Sequence, residues 1–160
     1  MDRVDILVCG GNGGNGVVSF HHEKFIPLGG PDGGDGGKGG SVYLVADRGV
    51  DTLQQFKRQR RFRAASGKDG AKQKKHGAKG EDLIIKVPPG TMVFNNEEEQ
   101  EMLLADLSQP GQKVLAAKGG RGGLGNVHFA NSRNQAPKTA TKGQPGEEHR
   151  LALDLRLIAD

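Results

Sequence analysis

Glycine recurs every third residue in this chain, often in offset pairs, and that spacing limits what it can fold into. Gly10, Gly13 and Gly16 form one series, and Gly11 and Gly14 a parallel one. Gly30, Gly33, Gly36 and Gly39 follow, beside Gly34, Gly37 and Gly40. The spacing returns at Gly67/Gly70, Gly77/Gly80, Gly119/Gly122/Gly125, Gly120/Gly123 and Gly143/Gly146. Polyproline II has three residues per turn, so one such series bares the backbone along one edge of that helix, and two offset series bare two. Such segments can pack side by side at backbone distance, held by amide hydrogen bonds and weak Cα–H···O contacts. Gly13, Gly33, Gly36, Gly39, Gly122 and Gly125 are the candidate structural glycines. A flexible linker is the alternative, but linkers of that kind are padded with Ser and lack fixed spacing. Collagen shares the geometry, yet no stretch here runs long enough and Pro totals only 7.

Between the glycine tracts lie short apolar runs. Leu, Ile, Val and Phe make up 36 of 160 residues, just above the level of roughly 20% below which chains stay disordered. The core is therefore thin. Strands are predicted at 4–9, 17–21, 41–46, 83–87, 91–94, 102–107, 112–117 and 149–158 from β-branched content and alternation. In the last, Leu151, Leu153, Leu155 and Leu157 share one face, with Ala152, Asp154 and Arg156 on the other. Pro88-Pro89-Gly90 is a turn between two strands. Only 51–62 has helical character, with Asp51 as cap and Leu53 and Phe56 three apart. The expected fold is all-β and a single domain over 1–160. A glycine-rich polyproline-II bundle (about 10–40, 65–80 and 118–146) would stand on a β base (about 1–9, 41–56, 83–117 and 148–160).

Several function classes fall away. No run of about 18 apolar residues exists to span a membrane. The opening MDRVDILVCGG is too short and too acidic for a signal or transit peptide. Cys9 is the only cysteine, so no internal disulfide forms, and a reducing, cytoplasmic location is expected. The net charge of +4 is unevenly placed. Residues 57–80 hold ten Lys or Arg (Lys57, Arg58, Arg60, Arg61, Arg63, Lys68, Lys72, Lys74, Lys75 and Lys79) against one acid, Asp69. Residues 118–142 hold Lys118, Arg121, Arg133, Lys138 and Lys142 with no acid. Charge concentrated this way on an otherwise acidic body faces a polyanion. Arg pairs bidentately with phosphate, and Phe62 and His76 could stack on splayed bases. Aromatic residues are too few for a stacking platform, which favours recognition by backbone and shape.

Motifs for nucleotide chemistry are weak. Gly11-x-Gly13-x-x-Gly16, Gly34-x-Gly36-x-x-Gly39 and Gly120-x-Gly122-x-x-Gly125 match a dinucleotide fingerprint, but that fingerprint needs a helix after its last glycine. Val17-Val18-Ser19-Phe20 reads as strand instead. Gly37-Lys38 approaches a phosphate-binding loop but lacks the first glycine and the hydroxyl residue. Asp32 and Asp35 are assigned to tight turns rather than to calcium, since no bidentate acid completes a loop. The histidines and one cysteine have no zinc spacing. No catalytic residue and no metal ligand is assigned.

Four stretches together resemble the N-terminal domain of the Obg family of ribosome-associated GTPases. They are GGNGGNGVVSFHHEKFIPLGGPDGGDGGKGGSV (10–42), HGAKGEDLIIKVPPGTMV (76–93), AKGGRGGLGNVHF (117–129) and QPGEEHRLALDLRLIAD (144–160). The resemblance implies a β-barrel or sandwich base carrying about six glycine-rich polyproline-II helices. It implies that a GTPase domain, binding GTP and Mg²⁺, follows residue 160 in a longer parent. It further implies docking on the large ribosomal subunit, with loop tips reaching toward the peptidyl-transferase centre in mimicry of tRNA. The parent would act in late large-subunit assembly and in control of subunit joining. The module itself is expected to be monomeric, with no cofactor of its own. Tip candidates are 22–32, the 57–80 loop and the loop after Gly125. The candidate RNA-binding residues are Lys24 and Lys38, then Arg58, Arg60, Arg61 and Arg63. Lys68, Lys72, Lys74, Lys75 and Lys79 follow in the same run, and Arg121, Arg133 and Lys138 complete the set. The hairpin tip Asn95–Glu101 departs from the family in being longer and more acidic. The alternative function is a protein-interaction or regulatory module of the same GTPase without direct RNA binding.

Overall fold

The computed structural model describes residues 2–23 and 29–156. Among these residues eight strands form two sheets. The first five are β1 (Arg3–Cys9), β2 (Val42–Ala46), β3 (Arg61–Arg63), β4 (Leu83–Val87) and β5 (Thr91–Asn95). The remaining three are β6 (Met102–Leu107), β7 (Lys113–Ala117) and β8 (Glu148–Leu155). One sheet has the order β3-β1-β8-β5-β6 and the other β4-β2-β7. Alternation places Val4, Ile6 and Val8 of β1 inward, facing Val42, Leu44 and Ala46 of β2 in one apolar cluster shared by both sheets. Leu53 and Phe56, from a 3-10 helix at Gln54–Lys57, fill the same cluster.

The base is thus two open sheets on one core. Among the described residues no barrel closes: β3 and β6 bound one sheet, β4 and β7 the other, and neither pair of edges meets. The strand pattern of the sequence recovers seven of these strands to within two residues at their described ends, and residues 157–158 of the last lie outside the described part. Two expectations fail. Residues 17–21 form no strand, only a single bridge between Phe20 and Pro31. The run 51–62 is not one helix but the short 3-10 turn followed by β3, because Arg61–Arg63 finds β1 as a parallel partner. The turn at Pro88-Pro89-Gly90 is present, with Gly90 at φ 96° and its N–H donating to Leu107 O at 2.8 Å.

Three long excursions leave the sheets between β1 and β2, β3 and β4, and β7 and β8. Their six limbs carry the glycine triplets. Hydrogen bonds join the limbs in steps of three residues. Gly11, Gly14 and Val17 donate to Gly40, Gly37 and Gly34 of the returning limb, at 2.8, 2.8 and 3.2 Å. Gly10, Gly13 and Gly16 donate to Glu147, Gln144 and Thr141 on another side. On a third side, Gly67 and Gly70 donate to Asn12 and Asn15 carbonyls at 2.8 Å. The six designated glycines all sit at backbone distance from a neighbour. A Cβ on Gly13 would overlap the Arg121 carbonyl, on Gly33 that of Val17, and on Gly36 that of Gly14. On Gly39, Gly122 and Gly125 it would overlap the carbonyls of Gly11, Gly36 and Gly33. Apart from Gly90 and Gly111 in β turns, no described glycine takes a positive φ. The glycines of the bundle serve close approach, not left-handed backbone.

Candidate nucleic-acid interface

The described parts of the three excursions come together near their far ends. Asn126, fully buried, ties two of them together. Its side-chain Nδ2 donates to Ser19 O and Pro137 O, both at 3.0 Å, and its Oδ1 accepts the Gly33 N–H at 2.8 Å. The second excursion joins through Lys74, whose N–H donates to Asp32 O at 2.6 Å. At that turn Gln73 and Lys74 take positive φ, 63° and 57°, the left-handed region that non-glycine residues rarely occupy.

Below the turns, Asp35 braces the limbs. Its Oδ1 accepts the Gly125 N–H at 2.7 Å, and His128 Nε2 lies 3.0 Å from Oδ2. The Asp35 N–H donates to His76 Nδ1 at 3.0 Å. Burial pushes the Asp35 carboxyl up, but the Gly125 hydrogen bond, the His128 hydrogen bond and the nearby imidazole charge hold it below 3.8. Asp35 is therefore a cross-limb brace, not the turn residue expected from Asp-Gly pairing. Glu147 plays a similar part nearer the base. The Lys118 N–H donates to it at 2.9 Å and lowers its carboxyl against burial, with His149 adding to the effect.

The predicted basic residues do not form one patch. Lys72, Lys74 and Lys75 sit at the far turn of the second excursion, and Arg133 and Lys138 in the far turn of the third. Lys38, Lys68, Lys79 and Arg121 lie along the limbs. Arg58, Arg60, Arg61 and Arg63 are at the opposite end, around β3 in the base. All of these are exposed, and among the described residues none is in an ion pair. Lys24 lies outside the described residues. Phe62 is no stacking platform: it packs edge-on against Phe56, with centroids 5.9 Å apart, as part of the base. The G-x-G-x-x-G glycines face backbone carbonyls, which leaves no cradle for a pyrophosphate. Sequence reasoning did not single out Asn126, since its partners lie up to 107 residues away and nothing local marks it.

Comparison with known proteins agrees with the motifs. The GTP1/OBG family profile matches residues 1–157. The chain is 52% identical to the GTPase Obg of Geobacillus kaustophilus over all 160 of its residues, which is 37% of that relative. It is 53% identical to the GTPase Obg of Acetivibrio thermocellus, again over the full chain and 37% of the relative. With the GTPase Obg of Desulforamulus reducens the identity is 54% over 99% of the chain and 37% of the relative. The chain thus spans a little over a third of the length of the curated relatives it matches. No helix among the described residues is long and apolar enough to cross a membrane. With a profile match over nearly its whole length and half its residues shared with these relatives, the chain belongs to the GTP1/OBG family.

Proposed function

We propose that this chain is the docking module of a GTP-hydrolysing protein, and that it carries that protein onto the large ribosomal subunit through rRNA. The GTPase domain, with its GTP and Mg²⁺, would follow residue 160. Docking near the peptidyl-transferase centre would serve late subunit assembly and hold off premature subunit joining, in the cytoplasm and as a monomer. The observation that carries this reading is the gathering of the far ends of three excursions at one end of a bundle whose limbs have little side-chain bulk. Five exposed, unpaired cations stand on those ends: Lys72, Lys74, Lys75, Arg133 and Lys138. A narrow shaft with cationic turns suits a cavity lined by phosphates, where Arg and Lys act without sequence readout.

The limbs are proposed to be polyproline-II helices, supported by the three-residue hydrogen-bond step and the negative φ of their glycines. At about 3.1 Å per residue, the nine steps from Arg63 to Lys72 then separate the two cationic ends by roughly 28 Å. Far-ultraviolet circular dichroism should show the polyproline-II signature over the sheet signal. A coil signal lost on mild heating, with the sheet intact, would count against it.

Co-sedimentation with purified large subunits tests the docking. Lys72→Glu, Lys74→Glu and Lys75→Glu together should release the protein from the particles. Release by Arg58→Glu, Arg60→Glu and Arg61→Glu with no effect of the first set would place the rRNA contact at the base and refute the tip assignment.

A further inference from the structure

A groove of about 420 Å³ lies in the base between the free edges of β3 and β4, one from each sheet. Phe62, Leu83 and Ile84 make its apolar floor, and Arg63 and Lys86 stand on its rim. Ile84 is 48% exposed, whereas its neighbours Ile85 and Val87 are in the core.

Both walls present open backbone. Arg60 O accepts the Leu7 N–H at 2.7 Å, and the Ala64 N–H donates to Cys9 O at 3.0 Å. In a parallel ladder this turns Phe62 toward β1 and leaves the peptide groups of Arg61 and Arg63 facing away from it. On the other wall the Leu83 N–H donates to Ser41 O and Val87 O accepts the Asp47 N–H, so Ile84 and Lys86 face away from β2. Two of the outward carbonyls are met only by side-chain amides: Gln59 Nε2 donates to Arg61 O at 3.1 Å and Gln55 Nε2 to Lys86 O at 2.8 Å. The β3 side is cationic, with Lys57, Arg58, Arg60 and Arg61 exposed and no acid between residues 52 and 68, while Lys86 on the other wall lies 3.7 Å from Asp47.

We propose that this groove binds an extended segment of a partner protein, in which apolar residues alternate with Asp or Glu, by adding it as a strand. Alternation sends every second side chain to the floor and its neighbours outward to the rim. Backbone hydrogen bonds would supply affinity and the arginines would select the charge. RNA is disfavoured here because phosphate gains nothing from Leu83 and Ile84, so the base half of the cationic run has a different partner from the tips. This inference does not depend on the docking of the tips.

Fluorescence anisotropy of a fluorescein-labelled octapeptide of alternating Val and Glu, titrated with the whole 160-residue chain, tests it. Saturable binding is expected, at least tenfold tighter than for octaglutamate. Ile84→Lys adds positive charge but spoils the floor, and should weaken binding at least tenfold. Lys86→Glu, at an exposed rim position, should do the same, and gives a second reading should the first variant lose its unfolding transition. Lys72→Glu, Lys74→Glu and Lys75→Glu together should leave peptide binding unchanged even where docking on the ribosome is lost. Equal binding of octaglutamate, or unchanged or tighter binding by Ile84→Lys, would mean charge alone and overturn the proposal. So would an oligouridylate that displaces the peptide and is itself weakened by Ile84→Lys, since the groove would then take RNA. Self-association of the chain in sedimentation, abolished by Ile84→Lys, would give the groove to a second copy and overturn it as well.

Discussion

Single atoms decide whether the bundle closes. A Cβ at Gly122 would run into the Gly36 carbonyl, and backbone cannot step aside as a side-chain end can. Gly122→Val should therefore destabilise by more than the 1–3 kcal/mol typical of overpacking a side-chain core, read by urea denaturation. The gain in chain stiffness from replacing glycine, roughly 0.5–1 kcal/mol, is too small to offset it. Asn126→Ala would strand the Gly33 N–H and the Pro137 carbonyl, while the Ser19 carbonyl keeps the Asp32 N–H; at about 1–3 kcal/mol for a buried polar group left unpaired, a loss of about 3 kcal/mol is expected. Asp35 adds a pH dependence. Its carboxyl is held below 3.8 in the fold, so its contribution is present above that value and lost as the pH falls through the lower, folded one. Urea midpoints measured from about pH 6 down to about pH 2 should fall at the acid end. In Asp35→Asn the neutral-pH midpoint should be lower and the acid slope shallower. The triplet glycines were readable from spacing because backbone contact excludes every other residue. Asn126 and Asp35 were not, because a polar brace depends on partners that only the folded chain brings near.

At the scale of elements, the cationic run 57–80 is the instructive case. In the sequence it is one block of charge, and the fold draws it out along the shaft. The cause is β3: Leu7, Val8 and Cys9 pair with Arg61, Phe62 and Arg63, which anchors half the block in the base. Composition has no means of showing that, since three residues alternating basic and aromatic carry little strand signal. Strands β1, β2, β4 and β5 were legible because each has a buried face that alternates. Residues 17–21 have the composition of a strand, yet they continue the three-residue ladder of the limb through Val17 and Asn126. A graded prediction follows for the two ends. In competition with oligouridylate, the tip triple to Glu should lose at least tenfold in RNA affinity, and the base triple Arg58→Glu, Arg60→Glu and Arg61→Glu should lose less than threefold. The reverse order would move the RNA contact to β3.

For the whole molecule, the proposed rRNA docking by five cations would have a salt signature. With about five phosphates neutralised on single strands or duplex, log K should fall against log salt with a slope of roughly −3.5 to −4.5. A slope near zero in a filter-binding or sedimentation series would remove phosphate contacts from the account. The ladder also sets a schedule for folding. The first limb is bonded along its length by the last: Gly10 to Glu147 at 2.8 Å, Gly13 to Gln144 at 2.9 Å and Gly16 to Thr141 at 3.0 Å. Contacts so far apart along the chain are slow to form. During translation the Gly10, Gly13 and Gly16 edge of this limb must wait, unsatisfied, until nearly the entire module has been synthesised, although its other edge can already pair with residues 34–40. A growing polypeptide arrested short of residue 141 has no way to zip that edge shut.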